Sequence, residues 1–201
     1  YANDLFRPLY TFWKVLKENP VELQRRVQAV CPATKETFTR MRRTILDMTD
    51  ELEIATAYYI VNRCSFSGAT FCGGFSQQSA EGRMNQAAID RLTTVSLANV
   101  SVSNDDCIKF LRDHPPAPGL VVYADPPYYI STYVYGKDGD MHEGFDHAGF
   151  AAELKKRTDW ILSYNDCPFI RELYAGCVIE SVQWSYGMSI KPSSEVIIKP
   201  Q

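Results

Sequence analysis

The chain has 201 residues, 45% of them hydrophobic and 22% charged, which suits one globular domain, or one carrying a large insertion, and excludes a disordered, collagenous or coiled-coil protein. The net charge of −3 does not by itself mark a nucleic-acid binder. No apolar run approaches the ~20 residues of a membrane span, and no signal-peptide pattern is visible.

The first predicted helix covers 8–18, where Leu9, Phe12, Trp13 and Leu16 share one face. Pro8 suits its first turn and Asn19-Pro20 stops it. A second helix is expected over 21–30, with Leu23, Val27 and Val30 inward and Cys31-Pro32 as its end. Residues 35–62 read as helical again, with any break near Thr49-Asp50. Between Arg25 and Arg43 six basic residues (Arg25, Arg26, Lys35, Arg40, Arg42, Arg43) face one acid, Glu36. Such a stretch can bind phosphates, and on charge alone it reads equally well as a solvated helix face.

Residues 64–82 carry four glycines, no helical period and neither Lys nor Arg, and are expected to form a loop or irregular hairpin. Helix returns over 84–97. From Val100 the pattern alternates: a short strand at 100–102, a helix at 106–112, a compact apolar strand at 120–124, a loop at 130–146 and a helix at 147–157. A buried strand at 160–163, a helix at 168–175, a strand at Val178-Ile179 and a last strand near 195–199 complete the chain. Alternation of this kind predicts an α/β fold with a mostly parallel sheet. The block 20–92 is too long for one crossover and is read as an inserted subdomain, between an N-terminal part (1–19) and a core (93–201). Six scattered cysteines without a Cys-x-x-Cys pair, and three histidines, point to reduced thiols in an intracellular compartment and to no metal site.

The strongest chemical signal is Asp125-Pro126-Pro127-Tyr128, at the C-terminal end of a predicted inner strand, where open α/β sheets bind ligands. Two prolines remove two N–H donors and stiffen the chain, while their carbonyls remain acceptors. A carboxylate, a fixed carbonyl and an aromatic face are what an exocyclic amino group on a planar base requires. Asp125 accepts one N–H, the Pro126 carbonyl accepts the other, and Tyr128 stacks on the ring. Average residue frequencies give this tetrapeptide on the order of once in a thousand such chains; the alternative is a strand-ending turn with a capped tyrosine, against which the buried strand in front of it weighs.

On these residues Leu120–Tyr129 resembles the catalytic motif of S-adenosylmethionine-dependent amino-group methyltransferases. The chain as a whole resembles the Dam-type DNA adenine methylases. Tyr1-Ala-Asn-Asp4 is similar to that family's second-strand acidic motif, Asn62-Arg-Cys-Ser-Phe-Ser-Gly68 to the segment closing its helical region, and Ser103-Asn-Asp-Asp-Cys107 to its third acidic motif. The resemblance implies a class I, Rossmann-like α/β methyltransferase fold with a helical target-recognition insertion. It implies transfer of a methyl group to the adenine amino nitrogen of double-stranded DNA. It assigns catalysis to Asp125, Pro126, Pro127 and Tyr128, and cofactor binding to Asp4, Asp106, Cys107 and Asp125. Asp4 competes with a helix-capping role, and Asp105 with Asp106. Arg40, Arg43, Arg63, Ser65 and Phe66 become expected DNA contacts; for Arg63 a structural ion pair is an equal alternative.

Ser163, Tyr164 and Asn165 are expected either to line the pocket or to form a polar turn. The same chemistry on cytosine, RNA or a glutamine amide, and a non-catalytic partner subunit, are the competing functions. A monomer in the cytoplasm of a prokaryotic or phage-infected cell is the expected setting. The family's Phe-x-Gly-x-Gly cofactor loop belongs ahead of Asp4 and is not in the sequence. The chain is therefore read as truncated at its front, with weak cofactor affinity expected of these residues alone. The loop at 69–82 also departs from the Dam pattern, so no recognition sequence is carried over.

Overall fold

A computed structural model describes residues 1–129, 144–184 and 193–201. The expected loop at 130–146, with its glycine turns, falls largely outside the described residues. Those described form two compact units, Tyr1–Asp106 and the residues from Cys107 onward.

The first unit is mainly helical. Helix α1 (Arg7–Glu18) buries Phe12, Val15 and Leu16 along one face, with Pro8 in its first turn. Asn19 ends it by donating its N–H to the Val15 carbonyl at 2.7 Å, and Pro20 opens α2 (Pro20–Val30). Thr34 caps α3 (Lys35–Thr44), its hydroxyl accepting from the Thr37 N–H at 3.2 Å. Asp50 caps α4 (Glu51–Cys64), accepting from the Glu53 N–H at 2.8 Å. The break expected near residues 49–50 is therefore a cap. Helix α4 is buried almost all round, through Ile54, Ala55, Ala57, Tyr59, Ile60, Val61 and Cys64. That is the pattern of a central helix, and α1, α2 and α3 all pack against it.

The predicted loop at 64–82 is shorter than expected. A 3-10 turn at Phe66–Gly68 and a bridge between Ser65 and Phe75 are followed by α5 (Gln77–Arg83), capped by Ser76. At Gly73 a side chain's first carbon would sit 2.9 Å from the Phe66 carbonyl oxygen, so the turn requires glycine there. Helix α6 (Gln86–Thr94) packs against α2. Two short strands, β1 (Ala2–Asn3) and β2 (Val102–Ser103), pair in parallel and bring the two ends of the helical block side by side.

The second unit holds α7 (Cys107–Asp113), β3 (Val122–Ala124), α8 (His147–Leu154), β4 (Trp160–Asn165), α9 (Pro168–Leu173), β5 (Val178–Trp184) and β6 (Ser193–Lys199). Its strand order is β3-β4-β6-β5. Strands β3 and β4 are parallel, whereas β6 runs antiparallel to both neighbours. The sheet is thus mixed where a mostly parallel one was expected, since the eight residues between β5 and β6 are fewer than a parallel crossover requires. One face of the sheet, through Leu162, Tyr164, Val196 and Ile198, packs with Phe150, Leu154, Ile170 and Tyr174 into a closed core. The period of two sends Tyr123, Ile161, Ser163 and Glu195 to the other face. There Tyr123 is 66% exposed and Ile161 41%, so β3 and the start of β4 are buried on one face only, while Ser163 and Glu195 further along that face are buried. Arg157, itself buried, donates to the Leu111 and His114 carbonyls and so closes the end of α7.

Candidate active site

The tetrapeptide begins where β3 ends. Asp125 follows Ala124 directly and is exposed, Pro126 is buried, and Pro127 and Tyr128 are half-buried. From β4, Ser163 donates its hydroxyl to one Asp125 carboxylate oxygen at 2.8 Å. The β3–β4 register creates this contact: Ala124 pairs with Leu162, so Ser163 lies one step further on, beside Asp125. The Tyr123 hydroxyl lies 3.3 Å from the same serine oxygen. Ser163 is buried, so its hydroxyl is fixed by these partners rather than by water.

Tyr128 is held from the opposite side. Its hydroxyl donates to Glu195 Oε2 on β6 at 3.2 Å. Its ring lies 5.9 Å from the Tyr164 ring at an interplanar angle of 32°. Burial pushes the Tyr128 phenol well above its ordinary value, and the Asp125 and Glu195 charges and the Glu195 hydrogen bond push the same way. A hydrogen bond with Ser163 opposes them. Tyr128 is accordingly a neutral hydroxyl donor across the physiological range.

Beyond the tetrapeptide, Asn165 donates to the Tyr129 carbonyl at 2.8 Å. The buried Asn165 Oδ1 has no partner among the described residues. Tyr129 stacks on Phe169 at 4.3 Å, with His147 edge-on at 5.3 Å, and His147 is in turn hydrogen-bonded to the Tyr164 hydroxyl. An aromatic group therefore surrounds the strand ends after β3 and β4.

In the first unit, Asp4 follows β1, and one carboxylate oxygen accepts from the Phe6 N–H at 2.7 Å. That bond turns the chain ahead of α1 but does not cap it: the cap residue is Phe6, and no side chain caps the helix. Burial raises the Asp4 carboxyl, and the Phe6 hydrogen bond opposes the rise. The other oxygen keeps acceptor capacity. Asn3 grips the backbone of Asp105 twice, donating to its carbonyl at 2.9 Å and accepting from its N–H at 2.9 Å. Asn104 donates to the Asp4 and Leu5 carbonyls at 2.7 and 2.9 Å. Asp106 is exposed and Asp105 half-buried, both directly after β2. Cys107 opens α7 in the second unit and packs against that unit's core.

The expected DNA contacts fall into distinct environments. Helix α3 turns Phe38 and Met41 inward and exposes Lys35, Thr39, Arg40 and Arg43 along a hollow of about 580 Å³. Arg42 instead donates to the Phe71 carbonyl, a structural role. Arg25 and Arg26 both bond Glu22, at 2.7 and 3.1 Å, and pull its carboxyl down to about 2, so that part of the basic stretch is neutralised locally. The guanidinium of Arg63 lies over the Tyr59 ring at 5.3 Å, a cation–π contact in place of the ion pair weighed for it. Ser65 is fully buried, donating to the Asn62 carbonyl and accepting from the Thr70 N–H. Its assignment as a DNA contact is corrected on that ground: it shapes the turn. Phe66 is 55% exposed on the same turn.

Asn3 and Asn104 lie inside the two acidic motifs and Glu195 in the predicted last strand, but no sequence signal singles out any of the three. Each works across a separation of roughly a hundred or seventy residues that only strand pairing closes.

The described residues thus hold a mixed α/β architecture, with two acidic strand ends in the first unit and Asp-Pro-Pro-Tyr at a strand end in the second. Residues 1–188 match the family model of the D12 class N6 adenine-specific DNA methyltransferases, and the chain belongs to that family. The family's reaction is methylation of the adenine amino group in DNA, with S-adenosylmethionine as its usual methyl donor. No curated protein matches the chain. No helix among the described residues is long and apolar enough to cross a membrane.

Proposed function

We propose that this chain methylates adenine N6 in duplex DNA with Asp125, the Pro126 carbonyl and Tyr128 as the groups that hold the base. The finer fold reading is a class I, Rossmann-like methyltransferase in which the helical block 20–92 is the target-recognition insertion. The observation that carries the catalytic reading is the Ser163–Asp125 hydrogen bond of 2.8 Å at the end of β3. It fixes the carboxylate's orientation while leaving it open to solvent, as an acceptor awaiting a partner must be.

The amino nitrogen of adenine is a poor nucleophile because its lone pair is conjugated into the ring. Two acceptors placed on its two N–H bonds favour a tetrahedral nitrogen and release that lone pair. The target base must leave the helix for this, and the half-buried ring of Tyr128 gives it a stacking surface. Pro126 and Pro127 hold the carbonyl still relative to the carboxylate, which limits the reorganisation needed at reaction. Asp125 is also the nearest acceptor for the proton the nitrogen gives up. Bound S-adenosylmethionine supplies an electrophilic methyl group on a sulfonium.

The donor set fits that cofactor. Asp4 keeps a carboxylate oxygen that can accept from a ribose hydroxyl, and the resemblance assigns Asp106 and Cys107 to the cofactor's adenine. Arg40 and Arg43, joined by Lys35, meet phosphates and position the duplex without reading sequence. Phe66 and Arg63 lie near one another in sequence as contacts to the DNA. The test is tritium transfer from labelled S-adenosylmethionine to duplex DNA. Asp125→Ala should reduce transfer to background while leaving DNA binding intact. Label recovered in cytosine or in protein, or full activity in the variant, overturns the reading.

A further inference from the structure

We propose that Glu195 is a positioning residue for methyl transfer, which fixes the tilt of the Tyr128 ring and enriches its electron density by accepting the tyrosine's hydroxyl hydrogen. The inference rests on Tyr128 as the stacking partner of the target base.

Glu195 is only 7% exposed, although a carboxylate is among the side chains least often buried. It sits inside the sheet, opposite Asn165 of β4 and Val182 of β5, on the face that carries Ser163 rather than on the core face of Val196 and Ile198. Simple packing would place an apolar residue there. The Tyr128 hydroxyl reaches it at 3.2 Å. Tyr164 supports the ring from β4 at 5.9 Å. Ring and hydroxyl are thus held by two neighbouring strands.

A hydroxyl bonded to a carboxylate makes a charge-assisted hydrogen bond, which draws the proton outward and leaves the ring more electron-rich. The electron-rich face of an aromatic ring attracts cations. The amino nitrogen becomes cationic while it gains its fourth bond and before its proton leaves. A ring polarised by Glu195 therefore favours the transition state more than the bound base. Asp125, Glu195 and the Ser163 hydroxyl are the polar groups that act on the Tyr128 phenol, and both charges act in the same direction.

The test compares wild type, Glu195→Gln, Tyr128→Phe and the double variant. The glutamine keeps the shape and a neutral acceptor, and the phenylalanine keeps the ring. With tyrosines labelled at the ring carbon bearing oxygen, the Tyr128 signal is the one of twelve lost in Tyr128→Phe. At neutral pH its chemical shift should move, in Glu195→Gln, away from the phenolate value and toward that of an ordinary phenol. For transfer, Glu195→Gln should lower kcat by about tenfold with KM for DNA within about twofold. The double variant should be no slower than Tyr128→Phe alone, since both changes remove one interaction. An unmoved Tyr128 signal, an unchanged kcat, or losses that multiply in the double variant each overturn the proposal. A wild-type protein that transfers no methyl group sinks the catalytic reading instead, and the Tyr128 chemical shift still decides whether Glu195 governs the ring.

Discussion

Replacing Ser163 by alanine removes one hydroxyl from the supports of Asp125, and the structure gives the size of the effect. The bond is 2.8 Å long, its acceptor is a carboxylate, and its donor is only 6% exposed. Hydrogen bonds to charged groups contribute about 1.5–3 kcal/mol. Where that energy appears depends on what replaces the bond. Asp125 is exposed, so in the resting variant water hydrates the abandoned carboxylate oxygen. Folding stability should therefore fall by less than about 1 kcal/mol, a lowering of Tm by roughly 2–4 °C at this chain length. In the transition state the carboxylate must point at one N–H, and water does not hold it there. The loss should thus fall on kcat, by roughly 10- to 150-fold at about 1.4 kcal/mol per factor of ten.

The assay is the initial rate of tritium transfer across a range of DNA concentrations, paired with a thermal melt. Ser163→Thr, which keeps the hydroxyl, should retain most of the activity. Wild-type kcat in Ser163→Ala, or a stability loss large enough to explain the rate loss, would refute the argument.

Three further outcomes follow from the geometry. The buried Asp4 carboxyl is raised above 3.8, so ionisation works against the folded state. Its contribution is favourable below the unfolded value and is lost as pH rises through the folded one. Asp4→Asn should therefore raise Tm at neutral pH, with the gain vanishing below about pH 3.8, while calorimetry reports weaker cofactor binding. Arg40→Ala and Arg43→Ala should weaken DNA binding uniformly across sequences, and each should lower the slope of log affinity against log salt by roughly 1. Asp125→Asn, which keeps one oxygen and swaps the other for a donor, should lose transfer nearly as fully as the alanine variant yet leave Tm within a few degrees, as read by the same label assay and melt.

Local signals were legible and distant ones were not. Helix α1 could be bounded because Pro8, Asn19 and Pro20 lie in the sequence next to the residues they affect. Asp125–Tyr128 could be read because the chemistry is contiguous. Helix α5 was missed because Gln77–Arg83 has no apolar period and contains Gly82. Its only sequence mark is Ser76, which caps it, and a cap without an amphipathic run is a weak sign. The sequence offers Ser163 as a pocket-lining or turn residue without its partner, and Glu195 only as part of a predicted strand. Finding either contact needs the registers of β3 with β4 and of β4 with β6, and register is fixed by packing between segments far apart in sequence. The mixed sheet has the same origin, since an apolar strand reads alike in either direction.

The double grip of Asn3 on Asp105 has a consequence for how such enzymes diversify. It fastens the entry and the exit of the helical block to each other, independently of what lies between. Everything from α1 to α6 is then a cassette hung from one clasp, free to lengthen, shorten or exchange its surface while the acidic strand ends stay in register. On the proposed reading of this block as the target-recognition insertion, a foreign block grafted between the same two fastenings would carry a new target sequence.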